Sequence, residues 1–334
     1  MRLTNLFAKS LTTAYSSPME ILANISSRAK AISCIDLKNA YMSIPIEKKS
    51  QSAFSFFGPN KEIMCFCHLP NGYKNAGFFL QQNLVKVLKG FSAIFLADDI
   101  LLVSEISQEH NVRELILVLE KLYEEGYKIG PHKIKLATTS VEILGVHYEL
   151  GRLSIPEART QGYRMYKTPK SFKQVQTFLS SVSFFRCFLK NFSEIAYPLI
   201  KLASKGNNTA IPNQKFEWLD IHEESFRNVK KLITNHIGNY LPDYSKPFFA
   251  STDASKYAAA GFLYQKGPNG EILPITCISR IFSPSEVNYT VYRKEIVSLI
   301  YFLRACEIFI KFQPIEIEID CRAILWLKKF GEQQ

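Results

Sequence analysis

No charge-free apolar run in this 334-residue chain reaches the roughly 18 residues that a membrane-crossing helix needs. The N-terminal stretch MRLTNLFAKSLTTAYSSPME lacks an apolar segment followed by a small-residue cleavage site, so no secretory leader is read there. Cysteine occurs seven times, at positions 34, 65, 67, 187, 277, 306 and 321, but never as a CxxC pair. That excludes a disulfide framework and a zinc ribbon, and it predicts a reducing compartment inside the cell. Repeats and low-complexity tracts are missing too, which removes solenoid, collagen-like and mucin-like readings. Acidic residues are in deficit, 30 against 41 Lys plus Arg, for a net charge of +11. A polyanionic partner follows, nucleic acid ahead of a membrane surface. What is plentiful is apolar: 47% hydrophobic and 13% aromatic residues supply two or three cores.

Aspartate is the scarcest charged residue, with seven positions: Asp36, Asp98, Asp99, Asp220, Asp243, Asp253 and Asp320. Asp36 ends the apolar run AISCI, Asp98 and Asp99 end AIFLA, Asp253 follows FFAST, and Asp320 ends IEIEI. Asp is depleted in strands, and its commonest use is to open turns and cap helices. A turn reading asks for a Gly, Asn or Pro neighbour, whereas IFLADDILLVS stays apolar on both sides of Asp98 and Asp99. Two adjacent carboxylates in an apolar setting repel each other and lose hydration, so they call for a cation, and hard divalent ions take such oxygen ligands. Cys65, Cys67 and His68 form a CxCH stretch without a distant partner, which reads as a strand and not as a zinc site.

With these residues on the page, the chain resembles the reverse transcriptase and RNase H segment of a gypsy-type LTR retrotransposon polyprotein. CIDLKNAYMSIPI (34–46) resembles the family's first palm motif, and LPNGYKNAGFFLQQ (69–82) the loop and helix that hold the templating base and the nucleotide. FLADDILLVS (95–104) resembles the metal-binding hairpin, and EILGVHYELGRLSI (142–155) the primer-contacting hairpin. Residues 170–202 resemble the thumb and connection. PFFASTDAS, YRKEIVSLIYF and IEIDCRAILWL resemble the first three catalytic segments of a retroelement RNase H. Leu96 stands where the family usually has an aromatic, with Phe95 beside it, and Gly77 stands where it usually has proline.

The resemblance implies an α/β (α+β) multidomain chain, truncated at both ends. Reverse transcriptase fingers and palm of the right-hand polymerase fold are expected over 1–155, a helical thumb and connection over 156–240, and an incomplete RNase H-like mixed α/β domain over 241–334. It implies RNA- and DNA-templated DNA synthesis by two-metal phosphoryl transfer, coupled to RNase H cleavage of hybrids. Asp36 and Asp98 are implied as bridging ligands of two Mg²⁺ ions, with Mn²⁺ able to replace them, and Asp99 as auxiliary ligand. Tyr41 is implied beside the nucleotide sugar, with a core tyrosine as the alternative; Asn71 near that sugar and Lys133 near the triphosphate complete the nucleotide site. Asp253, Glu295 and Asp320 are implied as three of four nuclease carboxylates holding a second pair of metals, against a simple pairing of Glu295 with Lys294 or Arg293. The partners implied are RNA template, DNA primer, RNA–DNA hybrid and deoxynucleoside triphosphates, with no membrane, in a cytoplasmic retroelement particle or the nucleus. The rival reading is a decayed or domesticated fragment that binds nucleic acid without catalysis. A third, an Asp-rich small-molecule phosphatase, leaves the basic stretch unexplained.

The residues add expectations of their own. A helix is predicted after Ser107, with Val112, Leu115, Leu119 and Leu122 on its buried face and a stop at Gly126. From Arg159 to Lys190 no acidic residue occurs while seven basic ones do, among them Lys167, Lys170 and Lys173, predicted to touch phosphates. Ser171 and Gln174 spell a capping box. Residues 201–214 are predicted as a polar loop. One helix is predicted from Ser285 onward, with Val291, Tyr292, Leu299, Phe302 and Leu303 in one stripe that includes Glu295.

Overall fold

β1 (Ala31–Leu37) alternates between two environments, and that alternation organises the first half of the chain. The computed structural model describes residues 2–11, 21–206, 215–311 and 313–319. They divide into two compact units, Met1–Leu144 and Gly145–Gln334.

In the first unit, α1 (Arg2–Phe7) precedes β1, and a short hairpin of β2 (Ser55–Phe57) and β3 (Ile63–Cys65) follows it. Then come α2 (Ala76–Val87), β4 (Ala93–Leu96), β5 (Asp99–Ser104), α3 (Gln108–Glu124), β6 (Ile129–Thr138) and β7 (Ser140–Ile143). The main sheet has the order β4-β5-β1-β6, every neighbouring pair antiparallel. Successive strand residues point to opposite faces. Ile35 and Leu37 of β1 and Ile100 and Leu102 of β5 therefore share one face, where they form a core with Leu80 and Leu84 of α2 and Leu115, Val118 and Leu122 of α3. The helix after Ser107 forms as its pattern predicts: the Ser107 hydroxyl accepts from His110 N–H, and Gly126 takes a left-handed φ of 80° just past the end. One polar residue is pinned inside this core. Buried Asn111 of α3 accepts from the Ser33 hydroxyl of β1 and donates to the Leu102 carbonyl of β5 at 2.9 Å.

The second unit opens with β8 (Val146–Glu149) and β9 (Arg152–Ser154), the latter also pairing with β10 (Asn239–Tyr240). Helices α4 (Glu157–Arg164), α5 (Phe172–Ser183), α6 (Phe192–Ile195), α7 (Tyr197–Lys205) and α8 (Asp220–Thr234) lie between β9 and β10 in sequence. β11 (Phe248–Ala254), β12 (Ala258–Lys266) and β13 (Ile272–Ile281) are followed by α9 (Pro284–Val287), α10 (Val291–Ile310) and β14 (Ile315–Glu318). The last sheet has the order β13-β12-β11-β14, with β14 parallel to β11. A Cβ on Gly261 of β12 would collide with the Phe302 ring, so α10 packs directly on the sheet there.

Within the second unit, hydrogen bonds tie the helical segment expected over 156–240 to β13: Ser193 donates through its backbone N–H to Ser279 Oγ at 3.1 Å, and Arg186 donates to the Ser279 carbonyl. Three expectations are corrected. The segment after Phe282 is two helices and not one: a capping box of Ser283 with Glu286 starts α9, and Thr290 caps α10 afresh. Its buried stripe runs through Glu295, Ser298, Phe302, Cys306 and Phe309, while Val291 is 74% exposed. The Ser171 box is half formed, since Gln174 Oε1 accepts from Lys170 N–H. Residues 201–205 continue α7 instead of opening a loop.

Candidate functional site

Asp36 and Asp99 stand opposite each other in the β1–β5 ladder. Their neighbours Ile35 and Ile100 face the helices, so both carboxylates project from the other face of the sheet. Asp98 lies with Ala97 in a two-residue turn, Leu96 pairing with Asp99 across it, and the Asp98 carbonyl accepts from Leu37 N–H at 3.0 Å. Ala97 sits at φ 53°, a left-handed conformation that costs a residue with a Cβ about 1–2 kcal/mol. Phe95 packs against the helix core, so it does not stand in for a ring at Leu96 on the carboxylate face.

β6 supplies the cation. Lys133 Nζ lies 2.8 Å from both carboxylate oxygens of Asp36, and this hydrogen bond, with the charges of Asp36, Asp98 and Asp99 behind it, holds the ammonium above its ordinary value. Burial pushes the Asp99 carboxyl up, and the charges of Asp98 and Asp36 push it further against the opposing pull of Lys133. The three aspartates therefore feel one another. They are not drawn into a ligand cluster: among the described residues no three His, Cys, Asp or Glu side chains are grouped closely enough to hold a metal ion. Instead of bridging with Asp98, the Asp36 carboxylate is engaged by Lys133. The donor set itself fits a hard divalent cation, since three neighbouring carboxylates carry negative charge that such an ion relieves.

The other nucleotide-site candidates spread out. Tyr41, on a 3₁₀ turn over Ala40–Ser43, is half-buried and packs against two apolar clusters of the unit. Asn71 is exposed in the loop before α2. That loop is anchored by a residue without a place in the sequence reading: Asn75, buried at the N-cap of α2, donates to the Lys9 carbonyl and accepts from Leu11 N–H. Its position before a helix was the available signal. Cys65 ends β3, and both Cys65 and Cys67 are exposed.

In the second unit, Asp253 is exposed near the end of β11. Thr252 pairs with Gly261, which faces α10, so alternation turns Asp253 to the opposite face. There it lines a cavity of about 260 Å³ with Lys190, Asn191, Ser251 and Glu318. Glu295 is buried on α10 and does not line that cavity. Lys294, the pairing alternative, donates to the Lys256 carbonyl at 3.0 Å. Asp253 and Glu295 thus do not line one cavity, and Asp320 lies outside the described residues. Lys167, Lys170 and Lys173 are all exposed, the last on the first turn of α5.

Comparison with known proteins gives this geometry its context. Residues 3–148 match the reverse transcriptase (RNA-dependent DNA polymerase) family, and residues 218–317 match the RNase H-like domain found in reverse transcriptase. The chain is 30% identical over 324 residues to the retrovirus-related Pol polyprotein from transposon gypsy of Drosophila melanogaster, covering 90% of this chain and 30% of that protein. It is 28% identical over 267 residues to the Gag-Pol polyprotein of avian reticuloendotheliosis virus, covering 75% and 22%. The chain therefore spans less than a third of the length of these relatives. Among solved structures, the foamy viral protease-reverse transcriptase in complex with RNA/DNA hybrid superposes with a TM-score of 0.81 at 25% identity, over 98% of this chain and 43% of that one. The same enzyme in complex with dsDNA gives 0.82 at 24% identity, over 98% and 67%. With a reverse transcriptase domain followed by an RNase H-like domain, and the carboxylate hairpin of the first on the open face of its sheet, the chain belongs to the reverse transcriptases of retrotransposon and retroviral Pol polyproteins.

Proposed function

We propose that this chain synthesises DNA on RNA and DNA templates inside the cell, and that it cleaves the RNA strand of the resulting hybrid. The observation that carries the polymerase half is the pairing of Asp36 with Asp99 on one open sheet face, with Asp98 in the turn beside them. Nucleotidyl transfer requires little covalent participation from protein and much positioning and charge neutralisation. Asp36, Asp98 and Asp99 are the residues to hold Mg²⁺, which when bound activates the primer hydroxyl and neutralises the leaving pyrophosphate. The chain's own contributions are rigid carboxylates at strand ends, a cation at Lys133 within reach of phosphate oxygens once Asp36 binds metal, and the Tyr41 ring directly after β1. Exposed Lys167, Lys170 and Lys173 supply sequence-independent attraction for the duplex backbone. Asp253, Glu295 and Asp320 are the nuclease carboxylates in this proposal.

Primer extension on an RNA template with Mg²⁺ tests the polymerase half. Asp98→Asn should abolish extension while leaving hybrid affinity within about twofold, because phosphates and not the carboxylates carry binding. Extension at the wild-type rate in that variant would overturn the assignment. A second reading, hybrid binding without RNA cleavage, is favoured by one observation: Asp253 faces away from the helix that carries Glu295. Following a labelled RNA strand in the same reactions decides between the two, since Asp253→Asn removes cleavage only if Asp253 takes part in it.

A further inference from the structure

The basic run from Arg159 to Lys190 does not end at its own helices. Between α4 and α8 lies a groove of about 630 Å³ lined by Arg164, Lys167, Arg227, Lys230 and Lys231. Glu223 is the one acid lining it among the described residues. That carboxylate is already committed: it accepts from Trp218 Nε1 at 3.0 Å and from Arg227 Nε at 3.2 Å, and these bonds hold it below the usual carboxylate range. Lys230 is fixed as floor, donating to the Tyr166 carbonyl at 3.0 Å with its ammonium 5.3 Å from the centre of the Phe226 ring. Arg164, Lys167 and Lys231 are exposed and make no ion pair with a described carboxylate.

A helix-dipole role accounts for a cation in the last turn of α8. It also accounts for Arg164 in the last turn of α4, but not for Lys167, which lines the same groove from the segment beyond that helix. On α8, Arg227, Lys230 and Lys231 follow i, i+3, i+4 spacing, which sets their side chains on one face about 5–6 Å apart. A row of donors at that spacing, opposite a second row, suits a backbone with one charge per nucleotide.

We propose that the α4–α8 groove holds one phosphate strand of the nucleic-acid duplex, so that the duplex track continues past α5 onto α8. The duplex and not a free strand is the occupant, because Lys167 belongs to both tracts while Lys170 and Lys173 lie outside the groove. Two backbones can then be met at once. This inference rests on the nucleic-acid reading of the chain and adds to it a surface on α8.

The test compares the full chain with Arg227→Gln/Lys231→Gln and, separately, with Lys170→Gln/Lys173→Gln. Binding of a labelled RNA–DNA hybrid is read by anisotropy at several salt concentrations, beside single-stranded RNA of equal length and polyglutamate as competitor. The groove pair should weaken every hybrid sequence alike and flatten the plot of log K against log salt by up to about 1.8, roughly 0.9 per lost phosphate contact. Thermal unfolding controls for the fold. Lys231→Gln alone, which leaves the Arg227–Glu223 pair intact, should show about half the effect. An unchanged slope with the groove pair, while the α5 pair still flattens it, overturns the groove and leaves the nucleic-acid reading standing; no change with either pair removes both. A loss confined to single-stranded RNA, or displacement of hybrid by polyglutamate at matched charge, also overturns the duplex assignment.

Discussion

Lys133 and Asp36 are 97 positions apart in sequence, and nothing local in either segment announces that they meet. The pairing makes a metal ion compete with an ammonium for the same two oxygens. Lys133→Met should therefore let a divalent ion bind at lower concentration, with the midpoint of a Mn²⁺ titration, followed by spin relaxation, shifting on the order of two- to fivefold. A midpoint that does not move would show that the lysine leaves the carboxylate at no cost. At this scale the sequence was informative where a residue violated its environment. Asp98 and Asp99 inside an apolar run stood out for that reason; the sheet sets Asp99 opposite Asp36, but nothing in the run told that Lys133 would engage the Asp36 carboxylate. Tyr41 was not decidable in advance, since a ring half-buried against two apolar clusters and a ring beside a sugar read alike.

Elements were legible where the cap and the period agreed. The helix after Ser107 had both signals, and it formed with the predicted cap and end. The stretch after Phe282 read as one helix from Ser285, whereas the chain caps it at Ser283 and again at Thr290. Close packing between elements left no trace in the local sequence. Gly261 reads as an ordinary small residue in AAAGF, yet the Phe302 ring of α10 occupies the space its Cβ would need, and Phe302 is 1% exposed. Gly261→Ala should lower stability by about 1–3 kcal/mol, the usual cost of overpacking a tight contact. Adding Phe302→Leu should recover part of that loss in a double-mutant cycle followed by thermal unfolding. Strictly additive losses would mean that the helix stands off the strand.

For the molecule as a whole, the division at Leu144 and Gly145 could not be read from composition, because the bonds that tie the helices to the last sheet run from Ser193 and Arg186 to the distant Ser279. Another bond of this unit is titratable. His236 Nε2 accepts from Ile155 N–H at 2.9 Å, and Nδ1 lies 2.7 Å from the Ile233 carbonyl, a pattern that requires the neutral ring. Burial first, then Arg152, lowers its pKa from 6.5, against opposing contributions from the Ile233 carbonyl and Glu157. The unfolded chain thus takes up the proton more readily than the folded one. Stability from this residue is complete above about pH 6.5 and is lost as pH falls below it towards the lowered folded value. Urea midpoints at pH 7.5 and 5.5 should fall more in wild type than in His236→Phe, and equal falls would assign the acid sensitivity elsewhere.

The two-faced sheet of the first unit also predicts how the chain tolerates change. Along β1 from position 34, odd residues meet the helices and even ones the open face; in the antiparallel partner β5 the parity is reversed, with Ile100 and Leu102 inward and Asp99 outward. A saturation-mutagenesis library scored once for folded abundance and once for DNA synthesis should separate by parity. Positions 35, 37, 100 and 102 would depress the first score, whereas 36 and 99 would depress only the second.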